Sequence, residues 1–108
     1  MENREEIIML YDYYFELFNN KQREYFEAYY FDNLSLAEIA LNEGKSRNAI
    51  HKVIKYVVGK LFEYEEKLKL YARDTKIKEI ILKVNDDNIK KELEGLLWKI
   101  NYLCILKI

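Results

Sequence analysis

Apolar side chains recur along this chain at three- and four-residue steps almost from its start. Ile7, Leu10, Tyr11, Tyr14, Phe15 and Phe18 fall on one face of a helix and predict that helix from about residue 4 to residue 18. Asn19 stops it. The run Asn19-Asn20-Lys21-Gln22 has the form of a capping box, with Asn as N-cap and Gln three positions on, opening a second helix whose apolar side includes Phe26, Tyr29 and Tyr30. Asp32-Asn33 is the next turn. Ser35-Leu36-Ala37-Glu38 is a second capping box, and it starts a short third helix with Leu36, Ile39 and Ala40 facing inward. Gly44 ends that helix, because glycine takes the left-handed conformation a sharp turn requires, and Ser46 caps a fourth.

From Ile50 the apolar positions alternate in steps of four and three: Ile50, Ile54, Val57, Leu61, Tyr64, Leu68, Tyr71. This is the spacing of a heptad seam, and it predicts helix on both sides of Gly59, which is expected to mark a bend or a close helix contact. Val53, Val58, Phe62 and Leu70 widen the stripe, so C-terminal helices or another subunit must cover it. A further helix holds Ile77, Ile80, Ile81 and Val84. The turn Asn85-Asp86-Asp87-Asn88 separates it from a last helix carrying Ile89, Leu93, Leu96, Leu97, Ile100 and Leu103. The breadth of apolar surface on these helices predicts a homodimer, with Leu61, Tyr64, Leu68, Leu97 and Ile100 as its interface. The expected architecture is an all-α single domain over residues 1–108, with a helix-turn-helix at 35–58, a long helix, and a C-terminal helical layer over 75–108.

Composition supports that class. The chain has 108 residues, half of them hydrophobic, with no proline and three glycines, so breakers are scarce and hairpin dipeptides such as Asn-Gly are missing. The start, Glu2-Asn3-Arg4-Glu5-Glu6, is unlike the basic and then apolar opening of a secretory signal, and a cytoplasmic protein is expected. Leu93 to Ile108 is apolar, but Glu94, Lys99 and Lys107 interrupt it, and it falls short of the ~18 apolar residues a membrane span needs. Cys104 is alone in an apolar run and reads as a buried reduced thiol.

The formal charge of -1 hides an asymmetry: residues 1–34 carry eight acidic and three basic side chains, whereas residues 35–60 carry two acidic and five basic ones. The helix-turn-helix stretch is thus the positive part of a slightly acidic protein, as expected of a module that touches phosphate.

Catalysis finds little footing. One His and one Cys, far apart, make no metal site, and there is no Gly-rich phosphate loop, no serine nucleophile elbow and no HExxH, so neither an enzyme nor a cofactor is expected. Asp86 and Asp87 read as a helix cap and a dipole partner rather than an acid/base pair. Most tyrosines lie on the apolar faces and read as core. The stretch Ser35 to Tyr56 is different. It has a capped first helix, a tight turn with glycine, and a second helix that turns Arg47, Asn48, His51, Lys52 and Lys55 outward, with Lys45 and Ser46 at its start. That set offers three bases, an amide able to read adenine, and free N–H groups at the helix start able to hold a phosphate. Lys45 stands where such turns usually carry an aliphatic plug. Two readings follow: a nucleic-acid binder, or a helix-turn-helix that packs against protein.

The segments "KQREYFEAYYFDNLSLAEIA", "GKSRNAI" and "YEEKLKLY" resemble the small YlxM-type helix-turn-helix proteins of bacteria, whose fold is similar to region 4 of primary sigma factors. The resemblance covers about Ile7 to Ile81. It implies a non-enzymatic cytoplasmic regulator acting in the signal recognition particle pathway, with DNA or that particle's RNA as target and its GTPase as a possible partner. It places Ser46 at the cap and Arg47, Asn48, His51 and Lys52 on the reading face. Glu43 and Lys45 depart from the family's apolar turn residues, and Val53 and Val58 from its more polar ones, which points toward protein contact.

Overall fold

The computed structural model describes residues 3–98, and among these every regular element is helical. The chain divides into two compact units, Met1–Lys67 and Leu68–Ile108. Ile100, Leu103 and Cys104, with the expectations attached to them, lie outside the described residues.

The first unit holds α1 (Arg4–Tyr14), α2 (Asn20–Tyr30), α3 (Leu36–Glu43) and nearly all of α4 (Arg47–Leu68). The first helix is shorter than its apolar period suggests: after Tyr14 the chain tightens into a 3₁₀ turn, Phe15–Leu17, and Phe18 is extended. That tightening, ordinary at helix ends, turns Phe18 into the core before Asn19 begins the next cap. Both expected capping boxes form. Asn19 Oδ1 accepts from the Gln22 backbone while Gln22 Oε1 accepts from the Asn19 backbone, each at 2.9 Å. Ser35 and Glu38 repeat the arrangement at 3.1 and 3.0 Å. The backbone N–H of Ser35, then its side chain, hold the Glu38 carboxyl below the usual carboxylate range.

Apolar residues from all four helices meet in one core. Leu10, Tyr14, Phe26, Ile50, Val57 and Leu61 are its largest fully buried members in this unit. Tyr11 stacks on Phe26 with ring centroids 4.0 Å apart, and Tyr64 packs at 6.0 Å from Tyr14 and 5.8 Å from Phe18. Two phenols reach carboxylates across helices: Tyr11 donates to Glu27 at 2.5 Å, and Tyr14 donates to Glu65 at 2.6 Å. The second contact ties the end of α1 to the last third of α4, about fifty residues on. Tyr13 and Tyr25, which the period left out of the core, are also buried.

The heptad seam is helical only as far as Leu68. Lys69 takes the left-handed conformation (φ 56°), and a new helix, α5 (Leu70–Lys83), begins there, so Tyr71 does not continue the α4 stripe. In the second unit α5 is followed by α6 (Asp87–Glu94). This C-terminal unit therefore starts at Leu68, earlier than the layer expected from residue 75. Asp86 caps α6 by accepting from the N–H groups of Asn88 and Ile89 at 2.8 and 3.2 Å. Beyond α6, Arg73 donates to the Leu96 carbonyl at 2.7 Å, and Asp74 accepts from the Trp98 N–H at 2.9 Å.

Candidate nucleic-acid interface

The turn between α3 and α4 is closed by backbone alone. Gly44 sits in the left-handed region (φ 63°, ψ 35°), its N–H reaches the Leu41 carbonyl at 3.4 Å, and the Lys45 N–H reaches the Ala40 carbonyl at 3.0 Å. These are the two bonds of a Schellman motif. In many such motifs an apolar residue after the glycine packs back on the helix. Here that residue is Lys45, and it is exposed, so the geometry does not use the missing aliphatic plug. Glu43 instead turns toward α2, 3.7 Å from Lys21. Ser46 then caps α4, its Oγ accepting from the Ala49 N–H at 3.1 Å.

Ile50, Ile54, Val57 and Val58 bury one side of α4, and this fixes what the other side presents. Arg47, Asn48, His51, Lys52 and Lys55 are all exposed there, in rows of four-residue steps, with Lys45 and Ser46 exposed at the leading end. The seven residues expected at a nucleic-acid surface are therefore brought together.

Their charges are free. Lys45, Arg47, Lys52 and Lys55 have no ion pair or hydrogen bond among the described residues. The other basic residues of the unit are all engaged. Lys21 lies 3.2 Å from Glu24, Lys60 and Lys67 each lie 3.1 Å from Glu63, and Arg23 lies over the Phe15 ring at 4.9 Å. Arg4 donates to the Tyr30 carbonyl and, at 3.1 Å, to Asn33 Oδ1. Lys45, Lys52 and Lys55 have no carboxylate three or four positions away, and Glu43, four before Arg47, turns instead toward Lys21.

Two features escaped the sequence reading. An open cleft beside the start of α4 is lined by Arg4, Tyr29, Asn33, Ser35, Glu38 and Arg47, so that Arg4 of α1 and Arg47 of α4 line the same cleft. No local pattern signals a pairing across that distance in sequence. The second feature is Tyr56, exposed on the same side of α4 as Lys52 and Lys55. Its position off the apolar seam could have revealed it.

The residues expected at a subunit interface scatter. Leu61 is fully buried inside the chain and Tyr64 packs on Tyr14 and Phe18, so both serve the chain's own core, because the stripe is filled by intrachain rings. Leu68 is exposed and Leu97 is half-buried, while Ile100 lies outside the described residues. Among the described residues no helix is long and apolar enough to cross a membrane.

Comparison with known proteins agrees with this geometry. Residues 1–99 match the family UPF0122, described as "Putative helix-turn-helix protein, YlxM / p13 like", a longer stretch than the resemblance over residues 7–81. A UPF0122 protein of Fusobacterium nucleatum is 39% identical over 92 residues, covering 85% of this chain and 89% of that protein. One from Clostridium perfringens strain 13 is 45% identical over 103 residues, covering 87% and 92%. One from Malacoplasma penetrans is 41% identical over 88 residues, covering 82% of each. With its capped helices, glycine turn and outward basic face, the chain belongs to this YlxM / p13-like helix-turn-helix family.

Proposed function

We propose that this protein is a non-enzymatic regulator that binds nucleic acid, DNA or structured RNA, through the outer face of α4 and the turn before it. One observation carries the reading: the four basic residues left free in the first unit all lie on that one exposed surface. Free cations on a capped helix start release counterions when they meet phosphates, and the first-turn N–H groups add to the attraction. Asn48 and His51 stand among them with side chains able to meet base edges.

The test is a titration against duplex DNA and structured RNA at two salt concentrations, with Arg47, Lys52 and Lys55 replaced together by Ala. Binding is expected to be lost with helicity intact. Each phosphate contact removed should flatten the dependence of log affinity on log salt by about 0.7 to 0.9. Unchanged affinity for every nucleic acid would favour the adaptor reading, in which the helix-turn-helix meets protein. The signal recognition particle pathway implied by the sequence resemblance makes that particle's RNA the first structured RNA to include, and its GTPase the first protein.

A homodimer formed through the second unit is a separate proposal. Leu82, Ile89, Leu96 and Trp98 of that unit are exposed, Leu82 at 86%, and surface of this kind is commonly covered by a partner. Sedimentation equilibrium at micromolar concentration tests it: a single 13.2 kDa species would overturn it.

A further inference from the structure

We propose that Tyr56 is a stacking platform for one unpaired nucleobase, so that the basic face of α4 prefers nucleic acid with single-stranded segments over a closed duplex. The proposal rests on the reading of that face as a nucleic-acid surface and names the form of target it takes. Tyr56 is 51% exposed, whereas every other described tyrosine is buried or half-buried. Its only ring or hydrogen-bond partner among the described residues is Lys60, whose Nζ lies 5.8 Å from the ring centroid and is itself paired to Glu63 at 3.1 Å. Lys52 stands one turn before it and Lys55 adjoins it, both free. A large aromatic face set between free cations is the combination that holds single strands: the cations track the backbone and the ring takes the flat face of a base. In a closed duplex each base already stacks on its neighbours, and that face is unavailable.

Gly59 supplies the second observation. Residues three and four positions after Tyr56 border it on the helix surface, and these are Gly59 and Lys60. Gly59 lies exposed in the middle of α4, and a Cβ built on it would meet nothing within 4 Å. No contact inside the chain requires glycine there, although glycine in a helix interior weakens the helix. What the missing side chain does provide is open helix surface three positions after Tyr56, which a base stacked on the ring would not have to share with a side chain.

The experiment uses the full chain and two probes: a short unstructured oligoribonucleotide with a central 2-aminopurine, and a duplex of the same length. Binding of the single strand is expected to quench the 2-aminopurine. Tyr56→Ala should weaken single-strand binding about tenfold and abolish the quench, leaving duplex affinity unchanged. Tyr56→Phe should keep both affinity and quench, and Gly59→Leu should reduce both without loss of helicity. If Tyr56→Ala binds the single strand as the parent does, or loses affinity for both probes alike, the stacking role is overturned, while a continued loss of binding on replacing Arg47, Lys52 and Lys55 leaves the basic face standing. A parent protein that binds neither probe overturns both.

Discussion

Asp74 and Trp98 are joined by a hydrogen bond from the Trp98 backbone N–H to Asp74 Oδ1 at 2.9 Å, and Asp74 is fully buried. It is the one charged residue in the core among the described residues. The bond fastens α5 to the chain that leaves α6, beside the bond from Arg73 to the Leu96 carbonyl. A buried carboxylate is tolerated only when its hydrogen bonds are satisfied, so the contact fixes where the chain returns after α6.

Asp74→Ala removes the acceptor and leaves the Trp98 N–H without it. Leaving a buried hydrogen-bonding group unpaired costs about 1 to 3 kcal/mol, and a loss of that order is expected from the second unit. The single tryptophan reports on it, since Trp98 belongs to that unit. Its fluorescence in a urea titration should shift its midpoint to lower urea, with faster amide exchange at Trp98. An unchanged midpoint would show that the bond does not hold the segment.

Gly44 and Gly59 predict opposite responses to the same substitution. At Gly44 (φ 63°) the backbone is left-handed, and an L side chain there costs about 1 to 2 kcal/mol whatever the space around it. At Gly59 the backbone is helical and the surroundings are open, so Ala is expected to stabilise by about 1 kcal/mol. Gly44→Ala should therefore lower the urea midpoint and Gly59→Ala raise it, and Gly44→Asn should lose less than Gly44→Ala because Asn tolerates the left-handed region.

Helix starts and stops were legible because they depend on side chains close in sequence. Asn19 with Gln22, Ser35 with Glu38, Gly44 and Ser46 each satisfy backbone groups within a few positions, and each does so in the structure. The outer face of α4 was legible too, since burial of Ile50, Ile54 and Val57 dictates which residues point away. The end of that helix was not. The apolar spacing runs on through Leu68 to Tyr71, and no glycine or proline announces the left-handed Lys69. The Tyr14–Glu65 bond and the cleft that Arg4 and Arg47 both line bring together residues far apart in the chain, and such placements leave no periodic trace.

Tyr11 gives the stability a dependence on alkaline pH. Burial, then the hydrogen bond to Glu27, hold its phenol well above the ordinary tyrosine value, with Arg23 pulling the other way. A folded-state value raised above the unfolded one means that the folded chain keeps a proton the unfolded chain gives up. The contribution is complete below about pH 10 and is lost as pH rises toward the folded value. Stability should therefore fall above pH 10, and Tyr11→Phe should make that fall shallower while lowering stability at neutral pH by about 1 kcal/mol through the lost hydrogen bond. Urea midpoints measured from pH 8 to 11 check it; parallel curves for parent and variant would exclude Tyr11 as the source.

Ser46 allows the stability of α4 to be separated from what its surface binds. Its Oγ caps the helix at the Ala49 N–H while the residue itself is exposed beside Arg47. Ser46→Ala removes the cap and is expected to cost about 1 kcal/mol. Ser46→Asp keeps a capping oxygen and places a negative charge at the positive end of the helix dipole, so stability should be held or slightly raised. The same charge sits where a phosphate is proposed to bind and repels it. A nucleic-acid surface therefore predicts that Ser46→Asp is as stable as the parent yet binds more weakly, with the deficit shrinking as salt screens the repulsion. Equal binding by parent and Ser46→Asp at low salt would move the contact away from the start of α4.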